Sequence, residues 1–133
     1  MQPLIELKEI SKTYHSLNEE TVAIEGFSLK VFKNDFIAIV GPSGCGKSTV
    51  LSIISGLSQK SGGELCFGKE DISIGYMLQH DHLFPWRTIF KNAVIGLEIQ
   101  KKLTKDNIDY VNKLLDTYGL SEFKNSYPSQ LSV

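Results

Sequence analysis

Phe36-Ile37-Ala38-Ile39-Val40-Gly41-Pro42-Ser43-Gly44-Cys45-Gly46-Lys47-Ser48-Thr49 is the stretch on which the fold turns. Its first five residues are all apolar and follow the turn Lys33-Asn34-Asp35, a pattern that suits a strand covered on both faces and predicts the central strand of a sheet. From Gly41 to Ser48 the chain fits G-x-x-x-x-G-K-[ST] in full. Beyond it, Val50, Leu51, Ile53, Ile54 and Leu57 recur at helical spacing, and the Ser58-to-Gly63 stretch ends that helix in a loop. Strand, glycine loop and helix in that order form the context in which the pattern binds phosphate.

Each residue type in the loop has a physical reason to be there. Glycines at 41, 44 and 46 let the backbone wrap a polyphosphate closely, so that successive N–H groups point inward. A helix starting near Lys47 adds its positive dipole end. Lys47 reaches the β- and γ-phosphate oxygens as a point charge, the Ser48 hydroxyl is placed to ligate Mg²⁺ beside them, and Thr49 contacts the α-phosphate. Ser43 and Cys45 contribute mainly backbone.

Working outward, alternation through Leu4, Glu6 and Lys8, and again through Phe27, Leu29 and Val31, predicts two half-buried antiparallel strands separated by a polar segment from His15 to Thr21. After the helix come two short strand candidates, Glu64 to Phe67 and Ile72 to Leu78, and a loop centred on Pro85. Thr88 is a natural N-cap for a helix through about Glu98. Thr104 caps another, in which Ile108, Val111, Leu114, Leu115 and Tyr118 form one apolar stripe and Gly119 stands at the C-terminal stop.

Composition narrows the function classes. The 14 basic and 15 acidic residues nearly cancel and are scattered, which argues against nucleic-acid or anionic-membrane binding. The charge-free run from Ser48 to Gln59 is too short to cross a bilayer and is broken by serines and Gly56. The opening residues MQPLIELKEI carry acids and no apolar core of a secretory signal, so a cytoplasmic protein is expected. Cys45, in the glycine loop, and Cys66, in a predicted strand, read as free thiols in a reducing compartment.

The loop GPSGCGKST (Gly41 to Thr49) together with IGYMLQHDHLFPWRTIFKNAVIGLEI (Ile74 to Ile99) resembles ABC-transporter ATPases. The second block is similar to the region of the nitrate, sulfonate and taurine importer branch in which M-x-Q-x-D-x-L-x-P-W-R is familiar. The resemblance implies an α/β fold: a P-loop NTPase core with an N-terminal antiparallel β subdomain (1–87) and the start of an α-helical subdomain (88–133). By position it makes Gln79 the glutamine that joins the Mg²⁺ shell and senses the γ-phosphate, and Tyr14 the aromatic that stacks on adenine. Read without the resemblance, Gln79 is a polar strand end and Tyr14 one of five tyrosines. Phe84, Pro85, Trp86 and Arg87 fall where such an ATPase meets the short cytoplasmic helix of its permease. His80 and His82 flank Asp81 in a way that invites a metal reading, but no third or fourth ligand stands near in sequence.

The implied partners are Mg·ATP, a second copy of the ATPase, a membrane permease and a separate solute-binding protein, with the whole at the cytoplasmic face of the cell membrane. In one respect the sequence departs from the family. It contains no apolar strand ending in Asp-Glu and no later histidine, and Tyr127-Pro-Ser-Gln-Leu-Ser132 resembles the approach to the L-S-G-G-Q signature with Val133 where the first glycine belongs. The expectation is therefore a truncated subunit with an incomplete central sheet, in which Phe36 to Val40 lacks a parallel neighbour on at least one side. Such a piece should bind Mg·ATP, hydrolyse it poorly and fold poorly alone. A regulatory ATP-sensing module, a soluble ABC protein acting on ribosomes or DNA repair, and a small-molecule P-loop kinase are the competing readings. The last leaves the Gln79 region unexplained.

Overall fold

The computed structural model describes residues 1–131. Two long strands open the chain, β1 (Ile5–His15) and β2 (Glu20–Val31), and a third, β3 (Gly62–Phe67), follows the phosphate-loop helix α1 (Lys47–Ile54). They pair antiparallel in the order β2-β1-β3. β1 and β2 thus reach into both ends of the polar segment expected to separate them, and the tight turn at residues 16–19 remains, closed by Ser16 N–H donating to Glu19 O at 2.9 Å.

The register of β1 is not regular. Leu7 and Ile10 are both buried although three apart, because the pairing slips between them and Glu9 takes a positive φ of 49°. This is a bulge: one extra residue returns an apolar side chain to the core face. The opposite strand makes room with Gly63, at φ +84°, where a side chain would run into the carbonyl oxygens of Lys8 and Glu9.

Leu7, Ile10, Ile24, Val50 and Ile53 form the core, with Val50 and Ile53 laid by α1 onto the sheet. Each such side chain contributes about 1.5–3 kcal/mol on burial. α1 stops at Ile54, short of the expected apolar stripe, so Leu57 lies 67% exposed. Leu51, also counted in that stripe, faces out.

Two predicted strands do not form. Phe36 to Val40 makes no strand: Phe36 is 98% and Val40 91% exposed, and from this run only Ile39 packs on the core. Ile72 to Leu78 is likewise irregular, so the tight hairpin expected between Phe67 and Ile74 is absent. The cause is pairing. An extended run becomes a strand only when its N–H and C=O groups meet a ladder, and among the described residues β1 pairs with β2 and β3 and no strand runs beside 36–40.

The chain divides into two compact units, Met1–Tyr76 and Met77–Val133, a break that falls before the sequence-based boundary at residue 87. In the second unit lie α2 (Ile89–Ala93), α3 (Ile95–Ile99) and α4 (Lys105–Thr117), followed by single 3₁₀ turns at Ser121–Phe123 and Pro128–Gln130. Thr88 and Thr104 are the N-caps read from sequence, accepting from Lys91 N–H and Asn107 N–H at 3.2 and 3.3 Å. The helix expected through Glu98 is interrupted at Val94 and ends at Ile99. The free N–H groups at the start of α2 go to the chain end: Ile89 donates to Ser126 O and Phe90 to Lys124 O, both at 2.8 Å. In α4 Leu115 is buried and Ile108, Val111 and Leu114 are half-buried, but Tyr118 is 75% exposed, because the helix closes at Thr117 and Gly119 turns the backbone at φ +71°. Ser132 and Val133, the last part of the expected signature approach, lie outside the described residues. Among the described residues no helix is long and apolar enough to cross a membrane.

Candidate functional site

The loop from Gly41 to Gly46 passes from the irregular segment into α1, with Gly44 at φ +83° and Gly46 at φ +92°. Gly46 cannot be replaced without movement. A Cβ there would press into the Ala23 carbonyl oxygen and lie 2.9 Å from Ile24 Cγ1, so the loop is seated directly against β2. That close approach fixes where α1 begins and aims its first N–H groups out of the sheet.

Lys47 folds back over the loop. Its Nζ donates to Gly41 O, to Pro42 O at 2.7 Å and to Cys45 Sγ at 3.5 Å. The ammonium thus sits at the centre of the ring traced by residues 41–46, the place where a phosphate oxygen would be cradled. Ser48 is exposed at the mouth, while Thr49 is half-buried, its Oγ1 3.4 Å from the hydroxyl of Tyr14. Tyr14 comes from the far end of β1 and is 45% exposed. Lys12 Nζ lies 5.1 Å from the centroid of its ring and donates to Gln59 O at 2.6 Å. β1 therefore brings Tyr14 to Thr49, which follows the loop residues Gly41, Ser43, Gly44, Cys45, Gly46, Lys47 and Ser48 along the chain. Both thiols are free, and both Cys45 and Cys66 are exposed.

This arrangement fits a nucleoside polyphosphate. The glycine ring, the helix start and one ammonium are groups that could receive phosphates, the Ser48 hydroxyl is one that could ligate a divalent cation, and the Tyr14 hydroxyl lies beside Thr49. Gln79 belongs to the second unit, in an exposed bend. In that unit Leu83 N–H donates to Asp81 Oδ1 at 3.3 Å, and the rings of His80 and His82 stand edge to face at 6.4 Å. Phe84 and Trp86 pair at 5.0 Å between centroids, with Trp86 71% exposed. Arg87 Nη2 lies 2.8 Å from both oxygens of Glu98, and Arg87 Nε is buried without a partner among the described residues.

Sequence reading did not find Asn92, which makes more side-chain hydrogen bonds than any residue the motifs singled out. Nor did it find Lys12. An asparagine one turn into a helix carries no pattern of its own, and only its contacts identify it.

The family described as ABC transporter matches residues 24–133. Among curated proteins, an uncharacterized ABC transporter ATP-binding protein, YtlC of Bacillus subtilis (strain 168), is 41% identical over 96% of this chain and 51% of its own length. The aliphatic sulfonates import ATP-binding protein SsuB of Bacillus cereus is 33% identical over 96% of this chain and 52% of its own. The chain thus spans about half the length of the curated relatives it matches. Among solved structures, the dimeric post-hydrolysis state of the ATP-binding cassette MJ0796 with ADP and Pi superposes with a TM-score of 0.82 at 28% identity, covering 96% of this chain and 63% of that one.

Proposed function

The chain belongs to the ABC transporter family, and on that premise we propose that it is part of the ATP-binding subunit of an importer, coupling ATP binding and hydrolysis to solute uptake. The observation that carries this reading is the loop itself, a glycine ring closed around the Lys47 ammonium and seated on β2 by Gly46. Phosphates entering the ring take over the hydrogen bonds that Lys47 now makes to Gly41 and Pro42. The exchange sets the ammonium between β- and γ-phosphate oxygens, while N–H groups at the start of α1 face the same charge. Thr49 contacts the α-phosphate, and Tyr14 stacks on adenine. Ser48 would offer its hydroxyl to Mg²⁺, which neutralises charge on the β- and γ-oxygens when bound.

Catalysis of phosphoryl transfer also needs a group that positions the attacking water. These 133 residues carry no strand-end Asp-Glu pair and no later histidine to do so. They therefore bind Mg·ATP and turn it over slowly by themselves. In the assembled transporter two copies face each other across ATP. The Phe84-Pro85-Trp86-Arg87 turn meets the permease at the cytoplasmic face of the membrane, and a separate binding protein delivers the solute. The block from Met77 to Arg87 resembles that of nitrate, sulfonate and taurine importers, and that resemblance alone points to such a solute, since spermidine/putrescine and sulfate/thiosulfate importers stand among the relatives beside the aliphatic sulfonate one.

Titration with a fluorescent ATP analogue and Mg²⁺, followed by assay of released phosphate, tests the proposal. Saturable binding with turnover near background is expected. Absence of saturable binding in a folded sample overturns it.

A further inference from the structure

The aromatic turn at residues 84–88 is held in place by a side chain to which the reading above gives no role. Asn92, in α2, reaches back over the turn: its Oδ1 accepts from Phe84 N–H at 2.9 Å, and its Nδ2 lies 3.1 Å from Phe84 O, 3.1 Å from Arg87 O and 3.0 Å from Thr88 O. One amide has two N–H groups, so the three carbonyls share two donors and one bond is three-centred. The same group both accepts from and donates to Phe84, as a neighbouring strand would. A carboxylate of the same size has no N–H to offer and would face three carbonyl oxygens with a negative charge.

The turn is braced on its other side as well. Arg87 N–H donates to Phe84 O at 3.1 Å, and Arg87 Nη2 donates to Lys91 O at 2.9 Å and to both oxygens of Glu98. Between these fixed points stand Pro85, with its restricted φ, and the paired rings of Phe84 and Trp86. A tryptophan that is 71% exposed is not oriented by burial. What fixes its direction is the backbone beneath it.

We propose that Asn92 is a positioning residue that sets the Phe84–Trp86 pair as a rigid apolar knob. Its use rests on the reading of this turn as the permease contact. A knob fixed before contact loses less conformational freedom on docking than a loop that must order itself, so the same aromatic area gives tighter association.

Trp86 is the only tryptophan, so intrinsic fluorescence reports this turn alone. In Asn92→Asp the emission anisotropy should fall and acrylamide quenching should increase, while helical circular dichroism and the affinity for fluorescent ATP stay at wild-type values. Unchanged anisotropy and quenching in a folded Asn92→Asp chain overturn the proposal. Should that variant fail to fold, amide hydrogen exchange in the wild type decides. Phe84 N–H, bonded to Asn92 Oδ1, should exchange well below its random-coil rate, and exchange at the random-coil rate overturns the proposal. Trp86→Ala separates the two claims, because the Asn92 bonds go to the backbone of residues 84, 87 and 88 and survive it. If Trp86→Ala keeps full association with the permease while Asn92→Asp still frees Trp86, the docking reading fails and the positioning role of Asn92 stands.

Discussion

Two loops in this molecule each lead into a helix, and they are built by opposite means. The phosphate loop is a backbone object: positive-φ glycines shape it, Gly46 seats it against β2, and Lys47 bonds its carbonyls from within. The 84–88 turn is a side-chain object, in which Asn92, Thr88 and the Arg87–Glu98 pair hold a backbone that has no ladder of its own. The first spends Cys45 N–H on Pro42 O at 3.3 Å but otherwise keeps a glycine backbone that can turn toward an anion. The second consumes its polar groups internally and leaves aromatic rings outside. A loop that must bind charge saves its backbone donors, whereas a loop that must present an apolar surface spends them.

The largest effect should come from breaking the first loop's chemistry without touching the second. Lys47→Ala removes the one charge in the ring and, by the usual value of about 1.5–3 kcal/mol for a hydrogen bond to a charged group, weakens Mg·ATP binding about tenfold to over a hundredfold. Fluorescent-ATP titration measures it, and Trp86 anisotropy should not change. Equal affinities for the two chains would mean that the ring is not the nucleotide site. Gly46→Ala follows: the new Cβ meets the Ala23 carbonyl at φ +92°, and the strain should lower unfolding stability by about 1–3 kcal/mol, read from denaturant midpoints. No loss of stability would show that the loop is not seated on β2.

How much of each loop was legible follows from how it is built. Glycine spacing and a lysine encode the phosphate loop locally, so Gly41 to Thr49 could be read as a cradle from the sequence. Thr88 and Thr104 were legible for the same reason, since a cap is a matter of one residue and the next three. Asn92 was not, because its role depends on contacts with residues four to eight positions away that no motif records. Phe36 to Val40 was misread in the other direction. Its composition asks for a buried strand, but a strand exists only with a partner, and apolar content alone reveals the need rather than whether it is met. Likewise Leu7 and Ile10 break the two-residue period, and only the Glu9 bulge opposite Gly63 explains how both reach the core.

Cys45 sharpens the contrast between a loop that opens to a ligand and one that does not. Its Sγ lies 3.5 Å from Lys47 Nζ inside the ring, so bound phosphates should shield it. With Mg·ATP at ten times its dissociation constant, alkylation should slow about tenfold, in proportion to the fraction of open sites. Cys66 serves as the internal reference, though not as the unreactive one that a strand position suggests, because it too is exposed. It should be alkylated at the same rate with and without nucleotide. Peptide mass spectrometry of a timed alkylation gives both rates, and equal slowing at the two thiols would point to a global change rather than to phosphates in the ring.

The smallest expected effect concerns the edge of the site, where the backbone loop is joined to a side chain from β1. Tyr14 touches Thr49 through its hydroxyl at 3.4 Å and offers a ring to the base. These contributions separate by substitution. Tyr14→Phe keeps the ring and loses only a long, exposed hydroxyl contact, so ATP affinity should stay within error of wild type. Tyr14→Leu removes the ring, and at about 0.5–1.5 kcal/mol for an aromatic pair it should weaken ATP roughly two- to tenfold. Tripolyphosphate, which has no base, should bind wild type and Tyr14→Leu alike, since the glycine ring and Lys47 are unchanged. Competition of tripolyphosphate and of ATP against the fluorescent analogue supplies the four affinities for these two chains. If Tyr14→Leu weakened both ligands equally, Tyr14 would be acting on the loop through Thr49 and not on the base, and adenine would have to find its contact elsewhere in β1, with Lys12 the nearest side chain to examine.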